Sequence, residues 1–195
     1  VVADLEAAGL LAKTQSHTSM VACSDRTGAV LEPLVSEQWF MKVDEAAKQA
    51  LEAVRDGRIR FTPEHHVAVW EHWLTNIQDW CISRQLVWGH RIPAWSCPAC
   101  GALHVEVETP KACPGCSHEA LVQDPDTLDT WFSSALWPFS ILGWPDETAD
   151  LKRYYPNDVM CTSYDIIFFW VARMAMSGLT WMKEIPFRQV YFNSL

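Results

Sequence analysis

Four cysteines near the middle of the chain have the spacing of a metal site. Cys97 and Cys100 form one Cys-x-x-Cys pair, Cys113 and Cys116 form a second, and twelve residues separate the pairs. Each pair can place two thiolates on one ion, and two pairs complete a tetrahedron of sulfur around Zn²⁺. The spacing therefore predicts one structural zinc ion, with no open coordination position for catalysis. Two disulfides or four unrelated thiols are the alternatives.

The segment that carries these cysteines, residues 96–120, is too short to bury a hydrophobic core of its own. A bound metal ion would stabilise it instead, because the binding energy of a structural site is also folding energy. We expect a small ribbon in which Gly101 and Gly115 allow the tight turns at the cysteines. His104 and His118 are close enough to be substitute ligands, but four thiolates already complete the shell.

The composition is that of a globular chain with an acidic balance. Its 195 residues include 15 Lys+Arg and 24 Asp+Glu, which gives a formal net charge of −9. This charge argues against a module that binds DNA by neutralising many phosphates. No apolar run reaches the roughly 18 residues of a membrane span, and the first residues lack the basic region of a signal peptide. Seven cysteines, four of them in metal-type pairs, favour a reducing, cytoplasmic compartment.

Hydrophobic periodicity predicts a mixed α/β fold. A strand at 159–162, a helix at 165–177 and a strand at 189–192 form a βαβ unit, so we expect a parallel sheet. Ligands of such sheets bind at the carboxyl ends of the strands. The remaining elements expected from the sequence are a short helix within 1–16, a β-rich stretch over 17–43, a helix over 44–56, a strand over 58–61 and a helix from Pro63 to near Gln78.

Three motifs resemble those of class I aminoacyl-tRNA synthetases. Residues 79–93 have the sequence DWCISRQLVWGHRIP, which resembles the ISRQ…WG…IP segment of the branch for valine, isoleucine and leucine. Residues 129–138, DTWFSSALWP, and residues 164–174, YDIIFFWVARM, are similar to the valyl members of that branch, as is SEQWF at 36–40. The resemblance extends over essentially the whole chain and identifies the valyl-tRNA synthetase family.

The resemblance implies an α/β fold that is part of a class I Rossmann-like catalytic domain. Residues 1–35 would be the closing segment of the editing insertion and its return to the core, and 36–95 would hold catalytic-domain helices and the ISRQ segment. Residues 96–120 would form an inserted four-cysteine zinc ribbon, where this family carries one. Residues 121–195 would be the second half of the catalytic core, with the amino-acid pocket.

The resemblance also implies a valine pocket. Its walls would be Trp131, Ile166 and Trp170, and Asp165 would bind the α-ammonium group of valine. Ile166 and Trp170 are four residues apart on a predicted helix and share a face, and apolar walls suit an isopropyl group. The alternative is that this helix is buried core, with Asp165 placed in its first turn by the helix dipole.

Two further assignments implied by the resemblance concern nucleotides. Asn193 and Ser194 stand where the family has a His-Gly pair whose backbone approaches the adenosine, so they are the candidate ATP contacts. Arg84 and Gln85, within the ISRQ segment, would brace the active-site rim or bind the tRNA end. Ser163 also stands where the family has glycine, and these departures favour, as an alternative, an inactive or decayed zinc-binding module of the same fold.

Through the resemblance, the whole protein is expected to ligate valine to tRNA. It would use ATP and Mg²⁺ to activate valine and would transfer the valyl group to the 3′ end of tRNA(Val). The 195 residues contain no HIGH or KMSKS motif, most of the editing domain is missing, and so are the anticodon-binding helices. We therefore expect this piece to be inactive alone and the whole enzyme to be a cytoplasmic monomer. An isoleucyl or leucyl relative is the remaining alternative.

Overall fold

The computed structural model describes residues 1–25 and 27–193. These residues divide into two compact units, Val1–Glu37 and a larger unit that begins at Gln38. None of the helices in these described ranges is long and apolar enough to cross a membrane.

The first unit contains less regular structure than the sequence predicts. Its helix α1 spans Val2–Ala7, within the predicted range of 1–16. A single β-bridge joins Cys23 to Val30 in this described unit. The prediction of a β-rich stretch over 17–43 is therefore wrong, because nearly every side chain before Gln38 is exposed and no apolar face is buried to stabilise a sheet.

The larger unit is a mixed α/β structure. Its strands are β1 (Phe40–Met41), β2 (Arg60–Thr62), β3 (Trp80–Cys81), β4 (Ser83–Arg84), β5 (Ala94–Ser96), β6 (Leu103–Val105), β7 (Val122–Gln123), β8 (Thr127–Leu128), β9 (Asn157–Ser163) and β10 (Phe187–Asn193). Its α-helices are α2 (Asp44–Arg55), α3 (Val67–Thr75), α4 (Thr130–Ser134), α5 (Trp137–Ser140), α6 (Ala149–Tyr154) and α7 (Arg173–Ser177). A 3₁₀ turn at Glu64–His66 leads into α3.

Three strands form a parallel sheet in the order β2-β10-β9. Val190 of β10 lies opposite Phe61 on one side and Met160 on the other, and all three side chains are buried. The predicted βαβ unit is confirmed, since β9 and β10 are parallel and a helical crossover joins them. Parallel sheets need their faces covered, and α2, α3 and the crossover contribute to the same hydrophobic core as these strands.

Trp70 of α3 is at the centre of this core. Its side chain is fully buried, and its ring meets that of Phe61 edge to face at 5.2 Å. Its indole Nε1 has no hydrogen-bond partner. Helix α2 packs beside α3 and buries Ala47 and Ala50, as the spacing over 44–56 predicts.

The crossover helix differs from the α-helix predicted over 165–177. It begins as a 3₁₀ turn at Tyr164–Ile166, continues as a π-helix over Ile167–Ala172, becomes α7, and ends as a second π-helical segment over Gly178–Met182. Periodicity could not predict this change of pitch, because the helix is apolar on nearly every side. The π-helical turns are wider than α-helical ones and are frequent at functional sites.

Short antiparallel pairs connect the helices to the cysteine-rich segment. Strand β1 pairs with β3, and β4 pairs with β8. Strand β5 lies between β6 and β7 in a separate three-stranded sheet. The backbone N–H of Asp124 donates to the carbonyl of Ala94 at 2.9 Å. This bond connects the residue that follows β7 to the first residue of β5.

Replacing Gly178 with alanine is expected to destabilise the larger unit. A Cβ atom there would lie 2.7 Å from the Tyr155 hydroxyl oxygen and 3.0 Å from Cδ of Pro186. The Tyr155 hydroxyl donates to the carbonyl of Glu184 at 2.9 Å, so it cannot move without losing that bond. We expect a loss of about 1–3 kcal/mol in the free energy of unfolding, measured with urea.

The matched variant is the double substitution Gly178→Ala with Tyr155→Phe. It removes the oxygen that the new methyl group meets, so part of the lost stability should return. Equal or greater stability of the single Gly178→Ala variant would contradict the close approach and would indicate that helix propensity dominates.

Candidate functional site

The four predicted metal ligands lie together. Their Sγ atoms are all within 4.8 Å of one another. The Sγ atoms of Cys97 and Cys116 are 3.5 Å apart, and those of Cys100 and Cys113 are 3.6 Å apart. These distances are far longer than the roughly 2.05 Å of a disulfide bond, so the structure does not pair the cysteines as two disulfides. The four cysteines are positioned to hold one metal ion.

Each Cys-x-x-Cys pair is held by backbone hydrogen bonds within its own turn. The N–H of Gly101 donates to the carbonyl of Cys97 at 2.8 Å, and the N–H of Ser117 donates to the carbonyl of Cys113 at 2.8 Å. The residue after each pair has a left-handed backbone, with φ of 73° at Gly101 and 62° at Ser117. The predicted role of Gly101 is confirmed. In the second turn Ser117, and not Gly115, adopts the left-handed conformation.

His104 contacts the cluster without belonging to it. Its Nε2 atom lies 3.2 Å from Sγ of Cys113. Burial raises the pKa of the Cys113 thiol, but the N–H of Gly115 and the ring of His104 more than offset that effect and bring the pKa to about 6. Contacts within the same cluster raise the pKa values of Cys100 and Cys116. Because the thiolate is the form that binds metal, coordination of an ion would release protons from the cluster.

The aromatic residues of the predicted amino-acid pocket lie where α4 meets the crossover helix. Trp131 of α4 stacks on Phe169 at 6.0 Å between ring centroids. Trp170 donates from Nε1 to the carbonyl of Ser134, also in α4, at 3.2 Å, and its ring lies 5.9 Å from that of Trp137. The structure therefore places Trp131 and Trp170 at the contact between α4 and the crossover helix.

Asp165 and Ile166 precede this contact by about one turn. Both belong to the 3₁₀ turn that directly follows β9, where the carboxyl end of the strand meets the helix. The side chain of Asp165 is exposed, and that of Ile166 is half-buried. The position of Asp165 at the strand end agrees with the usual ligand crevice of an open α/β sheet.

A cavity of about 350 Å³ lies beside the crossover helix. Trp73, Trp80, Phe168 and Arg173 are among the residues that line it, and none of the four predicted pocket residues does. Trp73 stacks on Phe168 at 4.8 Å. The sequence contained no signal for this cavity, because it forms between two helices and the 76–84 segment.

Asp129 is a buried carboxylate that sequence reasoning did not single out. It caps α4, since Oδ1 accepts the backbone N–H of Trp131 at 3.2 Å. Its Oδ2 accepts Nε1 of Trp80 at 3.0 Å and Nη2 of Arg84 at 2.7 Å. Asp followed by the first residues of a helix is a common capping pattern, so the cap, though not the other contacts, could have been predicted.

Arg173 is the second buried charge beside Asp129. Its Nη1 lies 3.6 Å from Asp129 Oδ2 and has no hydrogen-bond partner, while its guanidinium carbon is 3.9 Å from the centre of the Trp80 ring. Burial lowers the pKa of Arg173 to about 10, although Asp129 opposes the shift and Arg84 adds to it. The group therefore stays protonated at neutral pH, and stacking on Trp80 partly compensates its burial.

Arg84 and Gln85 are engaged by the protein itself. Besides Asp129, Arg84 donates to the carbonyl of Cys81 at 2.8 Å. Gln85 donates from Nε2 to Asp126 Oδ2 at 2.7 Å and to Gln38 Oε1 at 3.1 Å. Both roles given to this pair, bracing of the active-site rim and contact with a tRNA end, stay predictions.

Of the two predicted ATP contacts, Asn193 lies at the end of β10. Asn193 is the last residue of that strand and is in register with Ser163 at the end of β9. It is thus at the carboxyl edge of the sheet, close to the turn that carries Asp165. Ser194 lies outside the described residues, so the assignment of this pair stays a prediction.

Curated relatives are similar to this chain over its entire length. The valine–tRNA ligase of Dehalococcoides mccartyi is 58% identical over 195 residues, and that of Clostridium tetani is 55% identical. Each match covers 100% of this chain and 22% of the ligase. The chain thus spans about a fifth of the length of these relatives, and its predicted similarity to the valyl enzymes is confirmed.

The fold is similar to that of solved synthetases. The free form of Mycobacterium tuberculosis methionyl-tRNA synthetase matches 90% of this chain and 30% of its own, with a TM-score of 0.59 at 17% identity. The family model described as tRNA synthetases class I (I, L, M and V) matches residues 10–195. The predicted fold class, an α/β catalytic-domain piece with a four-cysteine cluster, is confirmed. The chain therefore belongs to the class I tRNA synthetases of the I, L, M and V family.

Proposed function

We propose that this chain is part of a valine–tRNA ligase and supplies the valine pocket of its catalytic domain together with a structural zinc ribbon. The observation that carries the proposal is 58% identity, over all 195 residues, to the valine–tRNA ligase of Dehalococcoides mccartyi. The whole enzyme would act in the cytoplasm, as a monomer, on valine, ATP with Mg²⁺, and tRNA(Val). The isoleucyl or leucyl alternative loses support, because both relatives described above are named for valine.

In the proposed site the residues of this chain bind and orient valine. The exposed carboxylate of Asp165 is available to pair with the α-ammonium group, and Ile166, Trp131 and Trp170 would contact the isopropyl group. An apolar wall with one convergent charge is the usual composition of a small-molecule pocket. Holding the ammonium group fixes the direction of the valine carboxylate, which must approach the α-phosphate of ATP from a defined side.

The reaction at the α-phosphate of ATP depends on sequence motifs that these 195 residues do not contain. The valine carboxylate attacks the α-phosphate and pyrophosphate leaves, which gives valyl-AMP. A hydroxyl group at the 3′ end of the tRNA then attacks the valyl carbonyl carbon, and AMP leaves. The HIGH and KMSKS motifs that stabilise this transfer are not among the 195 residues. We therefore propose that the chain alone binds valine without activating it.

The metal of the ribbon is proposed to be Zn²⁺. Four thiolates at about 2.3 Å from the ion, in a tetrahedron, would lie about 3.8 Å from one another. Two of the Sγ pairs are 3.5 and 3.6 Å apart, and all four atoms fall within 4.8 Å of one another. A closed set of thiolates fits a structural ion, which would fix the ribbon and take no part in the reaction.

Titration calorimetry on the zinc-loaded chain tests the pocket. We expect valine to give a weak but saturable heat, and Asp165→Ala to weaken the affinity at least about tenfold, since an ammonium–carboxylate pair is lost. Asp158→Ala is the matched control, because Asp158 is an exposed aspartate of β9 that pairs with Arg188 at 3.6 Å. It should bind valine as the unaltered chain does.

The other amino acids decide between the alternatives. Tighter binding of isoleucine than of valine would favour an isoleucyl relative. A folded, zinc-loaded chain that gives no heat with valine would contradict the pocket and favour the decayed zinc-binding module, which Ser163 and the Asn193-Ser194 pair also support.

A further inference from the structure

One buried carboxylate contacts both helices that carry the tryptophans of the proposed valine pocket. Asp129 is 6% exposed, caps the helix of Trp131, and accepts hydrogen bonds from Trp80 and Arg84. On its remaining side lies Arg173, the first residue of α7. Three separate parts of the chain therefore meet at a single pair of oxygen atoms.

The contact with Arg173 extends to the second wall of the pocket. Arg173 follows Trp170 by three residues on the crossover helix, and its guanidinium is held between Asp129 and the face of Trp80. Its side chain is 8% exposed, as is that of Asp129. Nη1 of Arg173 has no hydrogen-bond partner, so the two groups are connected by the attraction of their charges, which is stronger in a buried site than in water.

We propose that Asp129 is a positioning residue for valine selection. It sets Trp131 through the cap of α4 and sets Trp170 through Arg173, so that the two indole rings lie at a fixed separation. The inference rests on the proposed function, because it assumes that these two rings line the valine pocket. Asp129 itself does not touch the substrate.

The charge of Asp129 can be removed without removing its cap. Asparagine also caps helices well, so Asp129→Asn keeps an acceptor for the N–H of Trp131. It leaves Arg84 and Arg173 with no carboxylate between them, and an unpaired buried charge is unfavourable. The amide NH₂ group that replaces Oδ2 also cannot accept from Trp80 or Arg84. The substitution therefore tests all the contacts made by Oδ2, the ionic one included.

The experiment uses the whole chain labelled with 5-fluorotryptophan and followed by ¹⁹F NMR, with resonances assigned by single Trp→Phe variants. In Asp129→Asn we expect the Trp131 and Trp170 resonances to move or broaden and the valine affinity to fall about tenfold. Trp95, which is buried in β5 next to the ribbon, should not change. Asp124→Asn is the matched control, because Asp124 also accepts an indole N–H, from Trp39 at 2.8 Å.

A second variant separates positioning from stability. Asp129→Asn with Arg173→Met removes the unpaired cation, so the stability should recover, and it supplies a folded sample if the single variant does not fold. If Asp129 positions the pocket, the Trp170 resonance and the valine affinity stay altered in the double variant. Recovery of both would overturn the proposal, as would unchanged Trp131 and Trp170 resonances in a folded Asp129→Asn chain.

Failure of the proposed function would be visible separately. If the unaltered chain shows no valine-dependent change in any tryptophan resonance, the valine pocket is wrong for this chain. The role of Asp129 can still be tested in that case. Trp131 and Trp170 resonances that change in Asp129→Asn support positioning of the two rings by Asp129, and unchanged resonances contradict it.

Discussion

Replacing Cys97 with serine is expected to reduce bound zinc from one ion per chain to none and to unfold the ribbon. Cys97 is 1% exposed, and its Sγ atom is one of four that fall within 4.8 Å of one another. Structural zinc supplies about 10–16 kcal/mol of apparent binding energy in small zinc domains. Strands β6 and β7 have few other sources of stability, since Leu103, Val105 and Val122 are more than half exposed.

Metal content and hydrogen exchange measure the two parts of this result. Zinc per chain should be determined by native mass spectrometry, and backbone amides over 94–123 should lose protection in the variant. The parallel sheet should keep its protection, because its core is formed by other residues. Cys161→Ser is the matched control, as Cys161 is an exposed cysteine outside the cluster. Retention of one tightly bound zinc in Cys97→Ser would show that the cluster is not the metal site.

Replacing Trp70 with alanine is expected to cost about 3–5 kcal/mol in the free energy of unfolding, because it leaves a large cavity. The side chain is fully buried, and its edge-to-face contact with Phe61 joins α3 to the parallel sheet. Trp70→Phe should cost much less. It keeps an aromatic ring and also removes an indole N–H that has no hydrogen-bond partner and therefore weakens the native state.

Urea unfolding of the two variants measures the difference. Trp73→Ala is the control, because Trp73 belongs to the same helix but is 47% exposed. We expect it to lower stability by less than about 1 kcal/mol. If Trp73→Ala costs as much stability as Trp70→Ala, then the Trp70 face of α3 is not the one at the centre of the core, which contradicts the structure.

The sequence was most informative where one local pattern determines the structure. The helix predicted over 44–56 is observed at Asp44–Arg55, because its apolar residues repeat on a single face. The two C-terminal strands were predicted because short apolar runs flank a long helix. The four cysteines could be grouped from spacing alone, since two Cys-x-x-Cys turns need no information from the rest of the fold.

Other features depend on parts of the chain that are distant in sequence. The Asp129 cluster joins residues from β3, β4, the start of α4 and α7, and no local pattern relates them. The change from 3₁₀ to π to α geometry between Tyr164 and Ser177 was also beyond prediction. Packing against α3 and α4 surrounds that helix with apolar neighbours, so hydrophobic spacing could not specify its pitch.

The sheet order β2-β10-β9 has a consequence for handling the isolated chain. Among the described residues, β9 pairs with β10 alone, so the backbone N–H and C=O groups along its other side form a seven-residue template. Val159 and Cys161 on this strand are exposed. Unprotected strands of this kind recruit other strands and promote aggregation. The fraction of the purified chain that stays in solution should therefore fall steeply as its concentration rises, and Val159→Lys should reduce that loss.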